Sequence, residues 1–282
     1  MQQCGLVLEG GGMRGLYTAG VLEFFLQKNL FFPYVIGVSA GACMAASYLS
    51  KQKGRNKQVN IGLANDPRYL SYRNFLLKRE LFGMDFLFHE IPNNVIPFDF
   101  DTFYSGEEQF WIGTTDCETG EPMYFSKHSI GEDILTIIRA SSSIPFIAPA
   151  VQYNGKQLLD GGIADPIPIK KAQQDGFKKN IVIMPKRGVF QTRSKLAFLY
   201  KYFVKKHPSI AKVLENSYNI YNETLHYIHQ EEKKGNILLI QPSVDLPVSS
   251  MERNQKRLTQ LYDLGYEDAQ KRYHTIYQWL QS

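Results

Sequence analysis

The 282-residue sequence predicts an α/β fold with a mainly parallel central sheet and a helical C-terminal region. Three observations carry this expectation. Residues 5–15, Gly-Leu-Val-Leu-Glu-Gly-Gly-Gly-Met-Arg-Gly, run an apolar strand into a glycine turn and on into a helix. Residues 34–49 repeat the pattern of strand, tight turn and helix. The short apolar runs 180–185 and 236–240 read as strands buried on both faces, with a long helical stretch between them.

In chain order, the first strand covers Gly5–Glu9, and its helix runs to Lys28 with apolar residues on most of its circumference, the mark of a buried helix. Tyr34–Val38 is the second strand, followed by an alanine-rich helix to Leu49 and a polar loop from Ser50 to Asn60. Residues 61–109 are aromatic and irregular, with Pro92, Pro97 and Asn93-Asn94 arguing against one long element. They form either a local core under a long loop or a wall over an apolar substrate site. Gln109–Thr115 and Pro122–Ser126 alternate as strands, and Glu132–Ala140 is helical. Ala148–Tyr153 and Lys156–Leu159 form a hairpin across Asn154-Gly155. A helix is expected at Pro166–Gln174, a long helical region at 191–234, and two C-terminal helices broken near Gly265. The domain expectation is a catalytic core at 1–190, carrying 61–109 as an insertion. Residues 191–282 are mainly helical and add one strand near 236–241 to the same domain.

Composition narrows the function. Charged residues make up 21% and hydrophobic ones 44%, as in a folded globular protein. The net charge of +5 is local: residues 186–212 hold eight Lys/Arg and no acid, so the remainder is net −3. A nucleic-acid partner is therefore not expected. Cys4, Cys43 and Cys117 are few and widely spaced, which indicates neither a zinc site nor a disulfide framework; no metal or cofactor is expected. With no leader pattern and no long apolar span, a cytoplasmic protein is expected. Residues 194–206 place Leu196, Leu199, Tyr200, Phe203 and Val204 on one helical side and lysines on the other. Such a helix either lies on an anionic membrane or packs on the core with a solvated face.

The chemistry starts at the glycines. Gly10, Gly11 and Gly12 before a helix N-terminus present unpaired N–H groups at the positive end of the dipole, an anion site. The anion is either a phosphate or a transient oxyanion. Gly10-x-Gly12-x-x-Gly15 also fits the dinucleotide fingerprint, but that pattern wants an acid at the end of strand two. The chain has Gly37-Val38-Ser39-Ala40-Gly41 there instead, the G-x-S-x-G of a nucleophile elbow. Ser39 is thus the candidate nucleophile, and Gly10, Gly11, Gly12, Met13 and Arg14 are the candidate oxyanion hole. Arg14 either adds positive charge to the site or is a solvated helix-end charge. None of His89, His128, His207, His226, His229 and His274 has a motif-like context, and the last four read as surface residues. Asp160 has better context for a base, ending a hairpin strand before Gly161 and Gly162, although Asp-Gly is also a common turn pair.

In this order, the motifs Gly10-Gly11-Gly12-Met13-Arg14-Gly15, Gly37–Gly41 and Asp160-Gly161-Gly162 resemble those of the bacterial patatin-like phospholipases. Ala140-Ser141-Ser142-Ser143-Ile144-Pro145 is similar to the block that precedes that family's aspartate. The resemblance covers residues 5 to about 185. It implies a three-layer α/β/α fold and a Ser39–Asp160 dyad, with Gly15, Gly37, Gly41, Gly161 and Gly162 shaping the loops. It also implies a fatty-acyl ester substrate, hydrolysed through an acyl-enzyme without a cofactor. A lipid-binding protein on the same scaffold with little turnover is the alternative.

Overall fold

The computed structural model describes residues 3–192, Tyr200 and residues 206–282. The segment read as an amphipathic basic helix, 194–206, lies outside the described residues save for Tyr200 and Lys206.

The core is one eight-stranded sheet in the order β5-β6-β3-β2-β1-β7-β8, with β4 paired to β3. Its strands are β1 (Cys4–Leu8), β2 (Tyr34–Val38), β3 (Gln109–Asp116), β4 (Pro122–Ser126), β5 (Val151–Tyr153), β6 (Lys156–Asp160), β7 (Lys179–Ile183) and β8 (Ile237–Ile240). The run from β3 through β2, β1 and β7 to β8 is parallel, while β4, β5 and β6 are antiparallel additions. β1 and β2 are buried along their whole length, because helices cover both faces of a parallel sheet.

Alternate residues divide the core into two halves. Leu6, Leu8, Ile181, Ile183 and Ile240 point to one side, against α1 (Leu16–Gln27), α2 (Ala40–Leu49), α3 (Ile134–Ser141) and α6 (Gln255–Gln281). Val7, Ile36, Val182, Ile237 and Leu239 point to the other, against α4 (Ile169–Gln174) and α5 (Pro208–Lys233). The outcome is the three-layer α/β/α arrangement.

Four expectations are corrected. The C-terminal region is one helix, α6, that continues through Gly265. A Cβ at Gly265 would lie 2.1 Å from the Tyr17 carbonyl oxygen, and one at Gly20 would lie 2.0 Å from that of Tyr262. The two glycines therefore let α1 and α6 cross backbone to backbone, and neither breaks its helix. The polar stretch 50–60 is not all loop: Arg55–Lys57 is helical and Gln58–Gly62 forms a π-turn. Its asparagines bond inward, Asn56 Nδ2 to the Met44 carbonyl at 3.2 Å and Asn60 Nδ2 to that of Asn56 at 2.9 Å. The helix expected from Pro166 begins at Ile169, with Pro168 at its cap. His207 is buried rather than exposed, at the start of α5.

Candidate active site

β3 is the ruler that brings the site together. Its residues 111–115 pair with β4 along one edge. The opposite edge is shared, first by β2 and then by β6. Val38, the last residue of β2, stands opposite Gly113, and Asp160, the last of β6, stands opposite Thr114. Two strand ends far apart in sequence therefore abut on neighbouring rungs of one strand, and Ser39 follows at the tip of β2.

Ser39 sits at φ 54° and ψ −126°, a strained conformation for a residue with a side chain. The strain holds its hydroxyl out at the N-terminus of α2, where the helix dipole favours negative charge. Its N–H donates to Ser141 Oγ at 2.8 Å, and Ser141 Oγ donates in turn to the Gly113 carbonyl at 2.6 Å. The neighbouring Ser143 carbonyl accepts the Asp160 N–H at 2.9 Å. The end of α3 thus holds both loops. The sequence marks this serine block only by family resemblance and gives its residues no role.

Asp160 is buried, as is Ser39. Burial pushes its carboxyl up to about 6; hydrogen bonds from the Ser39 side chain and the Gly162 N–H act in the opposite direction. The Gly162 bond is 2.7 Å. A Cβ on Gly161 would come within 2.3 Å of the Gly113 carbonyl oxygen, so only glycine lets this loop lie flat on β3. Gly41 has the same role on the other side, with the Leu8 and Glu9 carbonyl oxygens 2.5 and 2.8 Å from where its Cβ would be. Gly37 packs against the first turn of α2 and Gly15 against Ala40. None of the histidines appears in the lining of the cavity at Ser39.

The glycine turn lies against the serine: a Cβ on Gly10 would be 3.0 Å from Ser39 Cβ. Gly12 has φ +57°. Among the described residues, the N–H groups of Gly10, Gly11 and Gly12 have no hydrogen-bond partner. The expectation for the next two residues needs correcting. The Met13 N–H donates to the Ser250 carbonyl at 3.0 Å and the Arg14 N–H to that of Gly11 at 3.2 Å, so neither amide is available to an oxyanion. The Arg14 side chain is also directed elsewhere. It lines a second cavity, of 210 Å³, with Lys186, Pro185 and Asp245, while Met13 and Gly12 line the cavity that contains Ser39.

That first cavity has a volume of 120 Å³ and is bordered chiefly by apolar side chains, among them Met44, Tyr69, Phe82, Phe88 and Ile138. The aromatic segment 61–109 supplies much of this wall, and its Phe86 and Ile91 also join the main core. The segment is therefore part of the core and also a wall of this apolar cavity.

A strained serine thus lies against a buried carboxylate and a glycine turn, at the wall of an apolar cavity. The sequence model described as Patatin-like phospholipase matches residues 6–172. The chain belongs to this family. A second model, Domain of unknown function (DUF6363), matches residues 207–281. Among curated relatives, the uncharacterized protein YjjU of Escherichia coli (strain K12) is 33% identical over 183 residues, 63% of this chain and 50% of that protein. The lysophospholipase NTE1 of Kluyveromyces lactis is 24% identical, over 94% of this chain but 19% of that protein. NTE1 of Cryptococcus neoformans var. neoformans serotype D (strain JEC21 / ATCC MYA-565) is 26% identical over 64% of this chain and 11% of its own length. This patatin-like chain thus spans at most half the length of these relatives. VipD from Legionella pneumophila superposes with a TM-score of 0.48 and 12% identity, over 96% of this chain and 66% of that one.

Proposed function

We propose that this patatin-like chain is a serine acyl hydrolase that cleaves fatty-acyl esters of lipids, of the phospholipase A or lysophospholipase type. The observation that carries the reading is the Ser39 hydroxyl beside the buried Asp160 carboxylate, at the wall of an apolar cavity. Ser39 Oγ attacks the ester carbonyl and its proton passes to Asp160. The oxygen becomes an oxyanion facing the Gly10–Gly12 amides. Collapse expels the alcohol, which takes the proton back, and leaves an acyl-enzyme. Water then attacks the acyl carbon, with Asp160 again accepting the proton, and releases the fatty acid and free Ser39. The apolar cavity takes the acyl chain. The lysophospholipases among the relatives support a lipid substrate.

In this reading residues 1–190 are the catalytic core and 191–282 complete the same domain. The pairing of β8 with β7 and the packing of α6 on α1 support that division. In this reading the protein works in the cytoplasm, in peripheral contact with membrane. A fluorophosphonate probe tests the proposal: Ser39 is labelled in the native protein, and nothing is labelled in Ser39→Ala. A native protein that resists the probe and hydrolyses no ester in a lipid panel would be a lipid-binding relative instead.

A further inference from the structure

One surface feature has no part in the core or the site. The helix Tyr72–Lys78 has no buried residue. Tyr72 is 83% exposed, Leu76 81% and Leu77 71%. The helix projects from a narrow neck: Leu70 bridges Phe82, Ser71 N–H donates to the Leu81 carbonyl at 3.1 Å, and Gly83 N–H donates to that of Tyr69 at 3.0 Å. Leu81 N–H is tied to the Ile147 carbonyl at 2.8 Å, beside the exposed Phe146. The neck is therefore fixed to the body while the helix stands out from it. Tyr69 and Phe82 at the neck line the Ser39 cavity.

Exposed apolar side chains on so short a helix need a partner, and the charges identify which. Residues 67–79 contain Arg68, Arg73, Lys78 and Arg79 and no acid. The carboxylates nearest in sequence are engaged: Asp66 with Arg68, Asp85 with Arg139 and Lys78, and the buried Glu80 with the Met84 N–H. Arg73 and Arg79 make no ion pair among the described residues. A second copy of the chain would set like charges against each other in a two-fold interface. Two turns of helix also fall far below the ~800 Å² per partner that a stable dimer needs. An anionic bilayer meets both features, apolar tips below and cations at the headgroups.

We propose that the Tyr72–Lys78 helix is the surface through which this protein docks on an anionic lipid bilayer, with Tyr72, Leu76 and Leu77 entering the headgroup boundary beside the Ser39 cavity. The choice of a bilayer rests on the lipid-hydrolase reading above. Docking here brings the cavity wall to the membrane, so that an acyl chain leaves lipid for Tyr69 and Phe82 without crossing water.

The test uses the full chain, as Leu76→Asp/Leu77→Asp and Arg73→Glu/Arg79→Glu, with vesicles of phosphatidylcholine alone or mixed with phosphatidylglycerol. Both variants should sediment with the mixed vesicles at least ~10-fold more weakly than the native chain. Their hydrolysis of a soluble short-chain aryl ester should stay within about twofold of native, since none of these residues lines the Ser39 cavity. Native binding should weaken with salt and on phosphatidylcholine alone. Unchanged vesicle binding in both variants overturns the proposal. So does a native dimer that Leu76→Asp/Leu77→Asp dissociates in sedimentation velocity. A native protein that cleaves the soluble ester but binds neither vesicle overturns docking and leaves the hydrolase reading intact. Loss of vesicle binding in the variants of a protein that cleaves no ester would do the reverse.

Discussion

Two cavities flank the glycine turn, and they differ in almost every respect. The one at Ser39 is apolar and walled by the aromatic segment. The one at Arg14 holds two cations and a carboxylate, between the ends of β7 and β8. Near the second lies Glu9, whose carboxyl burial pushes up to about 8, with Lys186 and Arg14 opposing that rise. The turn that separates the cavities is only a few residues long, and neighbouring residues serve opposite sides. The comparison separates two kinds of positive potential. In the proposed mechanism the backbone amides act at contact on the carbonyl being attacked, whereas Arg14 acts from across the turn. A motif that joins glycines and arginine thus need not describe one cluster of donors.

The sharpest way to break this contrast is to remove the reacting groups. Ser39→Ala and Asp160→Asn should each lower kcat about 10⁴-fold or more on an acyl ester, with an unchanged circular-dichroism spectrum. Full activity in either would reject the dyad. Next comes the turn. Gly12→Ala places a Cβ 2.5 Å from the Ser250 carbonyl oxygen at a φ of +57° and tilts the amides away from the oxyanion. Its kcat should fall ~10²–10³-fold, the usual loss for an oxyanion donor, and its Tm should drop as well.

The third prediction concerns protonation. Asp160 accepts a proton only when ionised, and burial places its carboxyl near 6. Activity should therefore be level above that value and fall ~10-fold per pH unit below it. A profile with its acid limb near the ordinary carboxylate value would mean that Asp160 is better solvated than its burial requires. The smallest effect is expected at Arg14. Because its side chain lies in the other cavity, Arg14→Ala should cost less than ~10-fold, mostly in kcat and less so at high salt. A loss as large as that of Gly12→Ala would mean that the guanidinium reaches the site after all.

Much of the fold was legible because its signals are local. β2 runs over the expected Tyr34–Val38, and the Asn154-Gly155 turn has both residues at positive φ, 47° and 76°. Gly10–Gly12, Ser39 and Asp160 stand out as candidates by residue type and neighbours. The misreadings came where a distant partner decided the outcome. Gly265 looks like a helix break until Tyr17 is seen lying against it. The expected surface residue His207 is buried by the fold. The Met13 amide looks available until Ser250, more than two hundred residues on, takes it.

The sequence by itself determined the chemistry on offer: a serine at a strained turn, a carboxylate followed by two glycines, and a run of amides without side-chain cover. Each follows from the local sterics of small residues, which act within a few positions of the chain. Only the tertiary structure decided how those groups were divided and supported. It set Val38 and Asp160 against consecutive residues of β3, gave the Met13 N–H to Ser250 and turned Arg14 toward Lys186. Those outcomes depend on strand register and on close packing between distant segments, which no local pattern encodes.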